Sequence, residues 1–162
     1  MPITLVGADI LNRGQAIDIR EIVDLSKSAA VQTVDLQYAF DTCSTLHFPH
    51  PSAWGPIQIN ATIDVTEARY VECDGFTDVW GSDSAVPSHI EWVGAAGGTM
   101  INWAPTASNE MIYGGYIDGL MLDGGDLADY GLYCDGSRGL IVETGAAEFC
   151  RVAGMRFTNS DG

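Results

Sequence analysis

Apolar residues along this chain come in short bursts rather than long stretches. Ile57-Gln58-Ile59-Asn60-Ala61-Thr62-Ile63 alternates apolar and polar positions, the period of a strand with one face buried. Similar runs occur at Thr45–Pro49, Arg69–Cys73, His89–Gly94, Thr99–Trp103, Met111–Tyr113 and Tyr116–Ile117. Pro49 and the pair Asp74-Gly75 end two of them, as residues that leave the ladder or favour turns do. The period lengthens only near the N-terminus. Leu36, Ala39, Phe40 and Cys43 recur at helical spacing and predict a helix from Val34 to about Cys43, with Thr33 as N-cap and Asp35 in its first turn. Ile19, Ile22 and Val23 predict a shorter helix over Arg20–Ser28, although Ile17-x-Ile19 fits a strand equally well. Residues 1–15 read as a short strand and loop, and Phe76–Pro87 as turns.

The later part repeats itself. Gly119-Leu120-Met121-Leu122-Asp123-Gly124-Gly125 matches Gly139-Leu140-Ile141-Val142-Glu143-Thr144-Gly145 at an offset of 20. Gly131–Gly139 matches Gly154–Gly162 at an offset of 23. Short apolar strands with Gly and Asp turns at that period are the signature of a solenoid. Stacking successive repeats would put Leu120 under Leu140, Leu122 under Val142, Leu132 under Met155 and Cys134 under Phe157, each apolar on apolar. The expected fold is therefore all-β: a parallel β-helix with a small α-helical cap at its N-terminus. An antiparallel sandwich is the runner-up, but it does not explain a sequence period. Val86–Gly162 gives room for about three and a half coils of ~22 residues, a stub about 17 Å tall at ~4.8 Å per coil. Gly162 falls where Gly139 falls one repeat earlier, so the solenoid is expected to be unfinished.

Composition narrows the partners. In 162 residues, seven Lys and Arg stand against 22 carboxylates, a formal charge of −15. Such a field repels phosphate backbones and anionic lipid, so neither nucleic acid nor membrane is an expected partner. It leaves open a neutral polysaccharide, a cationic partner or a divalent ion. No apolar run reaches membrane-spanning length, and Met1-Pro2-Ile3-Thr4-Leu5 does not begin a secretory signal. Cys43, Cys73, Cys134 and Cys150 have no metal-like spacing and read as small buried hydrophobes.

Three segments in order resemble a known family. Leu36–Cys43 followed by Leu46-His47-Phe48-Pro49 resembles a cap helix running into its first strand. Val86-Pro87-Ser88-His89-Ile90-Glu91-Trp92-Val93-Gly94-Ala95-Ala96-Gly97-Gly98-Thr99-Met100-Ile101 is the most specific of the three, and Ile117–Gly124 resembles the coil after it. Together they resemble the N-terminal part of the pectate-lyase-like, single-stranded right-handed β-helix superfamily, a module common in phage tailspike and tail-fibre proteins. The resemblance covers roughly residues 34–162. It implies a cap over residues 1–44, right-handed coils over 45–162, and often a homotrimer. It also implies a virion location, or a cytoplasmic one before assembly, and polysaccharide binding, cleavage or epimerisation. The family's acidic opening motif is missing at Ser28–Thr33, and its catalytic carboxylates usually lie further along the helix.

Two functions follow as expectations. One is a structural or polysaccharide-binding segment of a tailspike-like protein. The other is the N-terminal part of a polysaccharide lyase or glycoside hydrolase with incomplete catalytic coils. A cytoplasmic binding module of no known substrate is a third. If the chain is catalytic, the repeat makes Asp123 and Glu143 the first pair to consider, because stacked one coil apart they would lie about 5 Å from each other, within the range of retaining glycosidases. Arg138 could neutralise either. Asp126 and Asp129 continue the acidic run and read as binding groups, as turn formers, or with Asp123 as loose Ca²⁺ ligands; no other cofactor is expected. Trp54 and Trp80, in loops, are candidate sugar-stacking platforms, whereas Trp92, which alternates with Ile90, reads as core.

Overall fold

The computed structural model describes residues 16–74, 88–143 and 145–160. In chain order the elements are β1 (Ile17–Asp18), a 3-10 turn (Ile19–Glu21), α1 (Ala29–Thr42), β2 (Thr45–Phe48), α2 (Pro51–Trp54), β3 (Ile57–Ile59), β4 (Ile63–Val65), β5 (Tyr70–Cys73), β6 (Ile90–Trp92), β7 (Thr99–Trp103) and β8 (Ile112–Tyr113). They continue with β9 (Tyr116–Asp118), β10 (Met121–Asp123), β11 (Tyr130–Asp135), β12 (Ser137–Arg138), β13 (Ile141–Glu143), β14 (Ala146–Glu148) and β15 (Ala153–Thr158). The strands form four parallel sheets. Sheet I is β1-β2-β5-β9-β13, sheet II is β3-β6-β10-β14, sheet III is β4-β7-β11-β15, and sheet IV is β8-β12. The chain visits sheets I, II and III in that order four times, and sheet IV after sheet III in the two middle circuits.

Apolar ladders run along this stack. In sheet I, Leu46, Val71, Ile117 and Val142 are successive partners. Ile57, Ile90, Leu122 and Ala147 follow one another in sheet II, and Ile63, Ile101, Leu132 and Met155 in sheet III. All these residues in the first three circuits are buried; Val142, Ala147 and Met155 in the last are only partly so. Each fully buried aliphatic side chain contributes roughly 1.5–3 kcal/mol. A β-branched or leucine side chain stacked on its like fills the interior without voids.

The registers correct the expected stacking. Leu132 pairs with Met155 and Cys134 with Phe157, as the offset of 23 requires. The offset of 20 is not a register. Tyr116 pairs with Ile141 and Met121 with Ala146, 25 positions apart. The two similar segments therefore lie in different sheets: Gly119 leads into sheet II and Gly139 into sheet I. What they share is a corner recipe, a glycine at positive φ (72° and 77°) followed by a buried leucine and a strand. The offset falls to 23 in sheet III because the connection β14–β15 is two residues shorter than β10–β11.

The N-terminal end is closed by α1. Leu36, Ala39 and Phe40 face the core, while its polar residues satisfy the first strand edges. Gln32 Oε1 accepts from Gln58 N at 2.8 Å, Thr33 Oγ1 from Asn60 N at 3.0 Å, and Gln37 Oε1 from Asp64 N at 2.8 Å. Gln37 Nε2 also donates to Asp64 O at 2.8 Å, completing an imitation of a neighbouring strand. The helix starts five residues before the expected position. Ser28 is its N-cap, and Thr33 lies inside it with its hydroxyl on Ala29 O at 2.8 Å. The helix expected over Arg20–Ser28 is replaced by the 3-10 turn and turns after it. Asp18 takes the Arg20 amide and guanidinium, and Asp24 takes Ser26 N, bonds that compete with helix formation.

Candidate functional site

The expected catalytic pair is not brought together. Asp123 sits opposite Glu148 on one side and Glu91 on the other. Its Oδ1 accepts from Gly125 N at 2.8 Å, a turn-forming role. Glu143 sits opposite Asp118 and accepts from the Tyr116 hydroxyl at 2.8 Å. That bond holds the Tyr116 phenol up at about 12. The cause of the mismatch is the register: an offset of 20 placed in one ladder two residues that belong to two.

The other expected residues are placed separately. Trp54 packs partly buried against the core, beside a shallow cavity lined by Ile22, Val23 and Leu25. Asp126 is exposed at a left-handed turn (φ 57°). Asp129 carries an ion pair from Arg151 at 3.5 Å, and its carbonyl accepts from Val152 and Ala153. Trp80 lies outside the described residues. Among the described residues, no group of three His, Cys, Asp or Glu side chains converges as a metal site. Trp92 is core as expected. Its indole fills the loop Gly94–Gly98 so closely that a Cβ on Gly98 would meet it at 2.2 Å.

The outward positions differ between sheets. Glu72, Asp118 and Glu143 form one carboxylate row on sheet I, and Glu91, Asp123 and Glu148 another on sheet II. Neighbours in such a row are about 4.8 Å apart at the backbone. Sheet III instead carries Asp64, Asn102, Tyr133 and Arg156. Asn102 donates to Asp64 at 2.8 Å. The Arg156 guanidinium lies 5.5 Å from the Tyr130 ring centre and 5.9 Å from that of Tyr133, and donates to the Tyr130 hydroxyl at 2.7 Å. The two rings are 5.6 Å apart and tilted by 53°. The Thr158 hydroxyl donates to the Tyr133 hydroxyl at 3.2 Å, so both phenols are held in place.

This platform adjoins a groove. Asp135 lies two residues beyond Tyr133 and therefore on the same face of β11. Between the Asp135-Gly136 turn and the β7–β8 connection is a space of about 540 Å³ lined by Thr106, Ser108, Asn109, Glu110, Asp135 and Asn159, among others. Asn159 donates to Asp135 Oδ1 at 2.9 Å. Gly136 and Asn159, both at positive φ, occupy the same corner in successive circuits. Hydroxyls, amides and two carboxylates lie beside the tilted pair of phenols, a mix of polar and flat groups of the kind that a sugar can meet. No sequence pattern marked this surface. Tyr130, Tyr133 and Arg156 are 26 positions apart at most, and only the register between β11 and β15 puts them together.

No protein-family profile, no curated protein and no solved structure matches the chain.

Proposed function

We propose that this chain is a segment of a right-handed parallel β-helix of the pectate-lyase-like kind, as in phage tailspikes, and that it binds polysaccharide on the outer face of sheet III. The supporting observation is the Tyr130–Tyr133–Arg156 platform continuous with the groove at Asp135 and Glu110. In this reading a pyranose ring packs on the half-buried phenols, and its hydroxyls reach Asp135, Asn159 and Ser108. Asp123 and Glu143 do not share a ladder, so they are not carried forward as a catalytic pair.

Affinity electrophoresis of the full chain through gels containing neutral or uronic-acid polysaccharides tests this. Retardation by at least one polymer, lost in Tyr133→Ala and reduced in Asp135→Asn, is the expected result. Retardation that both variants retain would move the site elsewhere. Mobility unaffected by every polymer would remove the binding function. Light scattering gives the mass in solution, and a monomer at high concentration would argue against the trimer.

A further inference from the structure

His89 precedes β6 at the corner between sheets I and II, and it is 3% exposed. Its backbone joins three circuits: its N–H donates to Met121 O at 2.9 Å and its carbonyl accepts from Ile57 N at 2.9 Å. Its side chain repeats one of these ties. Nδ1 accepts from Met121 N at 3.1 Å. An accepting Nδ1 carries no proton, so the neutral ring holds its proton on Nε2. Nε2 is buried without a hydrogen-bond partner among the described residues, and the ring stands edge to face with Phe48 at 6.2 Å and 85°.

We propose that His89 is an acid-sensitive latch between circuits, closed while the ring is neutral and released when Nδ1 takes a proton. A protonated Nδ1 is a donor. It would face the Met121 N–H, also a donor, leaving two buried N–H groups without acceptors. Each such group disfavours the folded state. The ties from His89 to Met121 and Ile57 lie at one corner, so release there loosens β6 from both β10 and β3.

The charged surroundings agree with this. His50, before α2, opposes a charge on His89, whereas Asp74, at the end of β5, favours one. Cys73, the register partner of Phe48, is held above the usual thiol range by burial and stays neutral. Burial, the largest effect, pushes His89 down to about 4 from an ordinary value near 6.5. A depressed histidine stabilises the fold fully above its unfolded value, and that contribution is lost as pH falls from about 6.5 through 4. Across this window the folded-to-unfolded ratio falls roughly 100-fold on account of His89, at tenfold per unit of displacement.

Nitrogen-detected NMR of the full wild-type chain gives the first test. The Nε2–H tautomer with no ring titration between pH 8 and 5 is expected; a folded-state ring that titrates near 6.5 would overturn the latch. The second test is urea unfolding from pH 7 to 4 for wild type and His89→Asn. The asparagine Oδ1 can still accept from Met121 N but does not titrate. The wild type should lose roughly 100-fold more of its folding equilibrium than the variant over this range. Parallel pH profiles would refute the proposal. If the variant does not fold, the wild-type tautomer and titration decide alone.

Discussion

Gln32 gives the sharpest check on how the first circuit is closed. It is 3% exposed, and all three of its observed bonds go to backbone. Oε1 accepts from Gln58 N at 2.8 Å; Nε2 donates to Lys27 O at 2.8 Å and, more weakly, to Leu25 O at 3.3 Å. Gln32→Leu keeps the size and the helix propensity but removes both functions. The Gln58 N–H then lies at a covered strand edge without an acceptor, and Lys27 O loses its best donor. Each buried group left unsatisfied costs about 1–3 kcal/mol, and added apolar burial returns part of that. A net loss of about 2–4 kcal/mol is expected, a fall of roughly 4–16 °C in Tm at ~2–4 °C per kcal/mol for a chain of this size. Urea unfolding followed by circular dichroism at pH 7, with the slope shared between variants, measures it. Gln37→Leu acts on an exposed pair of bonds to Asp64 and should cost less, about 1 kcal/mol. If Gln32→Leu unfolds within 0.5 kcal/mol of wild type, or Gln37→Leu costs more, α1 is not held by its imitation of a strand.

Three further outcomes follow from the packing and register. Gly98→Ala puts a methyl group into the Trp92 indole; it should destabilise by about 1–3 kcal/mol as overpacking does and shift the Trp92 fluorescence, and an unchanged spectrum and midpoint would contradict the contact. A double-mutant cycle of Asp118→Asn with Glu143→Gln should show coupling of about 0.2–1 kcal/mol, as for directly opposed residues. The cycle of Asp123→Asn with Glu143→Gln should be additive, and the reverse result would restore the offset of 20. Glu143→Gln should bring the Tyr116 phenol down from about 12 toward the usual tyrosine range in an absorbance titration, and no movement would mean that the 2.8 Å bond does not form.

Strand positions were readable from the sequence because burial alternates: Ile57 and Ile59 point in and Gln58 out, and the period states it directly. The same run hid a corner. Ile57–Ile63 looks like one strand, yet Asn60-Ala61-Thr62 bends it between sheets II and III. Alternation continues through such a bend, so periodicity alone does not reveal it. The helix was legible in its apolar face but not in its start, because Ser28 caps without a side-chain hydrogen bond. The candidate surface was least legible. Corner glycines create similarity between neighbouring corners as strong as that between stacked rungs, so the repeat paired Leu132 with Met155 and Cys134 with Phe157 correctly and misplaced Asp123. Contacts such as Arg156 on Tyr133 depend on connection lengths, which carry no periodic signal.

The circuits are unequal in a way that bears on how such a surface can change. Thr45 and Tyr70, and likewise Tyr116 and Ile141, are partners 25 positions apart, but Tyr70 and Tyr116 are 46 apart in the same sheet. Part of the difference is the β7–β8 connection, and the ladders above the second circuit resume in step. A parallel stack therefore isolates its rungs from length changes at its corners. The β7–β8 connection, one of the long ones, supplies Thr106, Ser108, Asn109 and Glu110 to the groove. Residues can be inserted or removed there to deepen, narrow or re-line the groove while the apolar ladders keep their partners, which makes this corner the natural place for recognition to diversify and for a designer to graft a new loop.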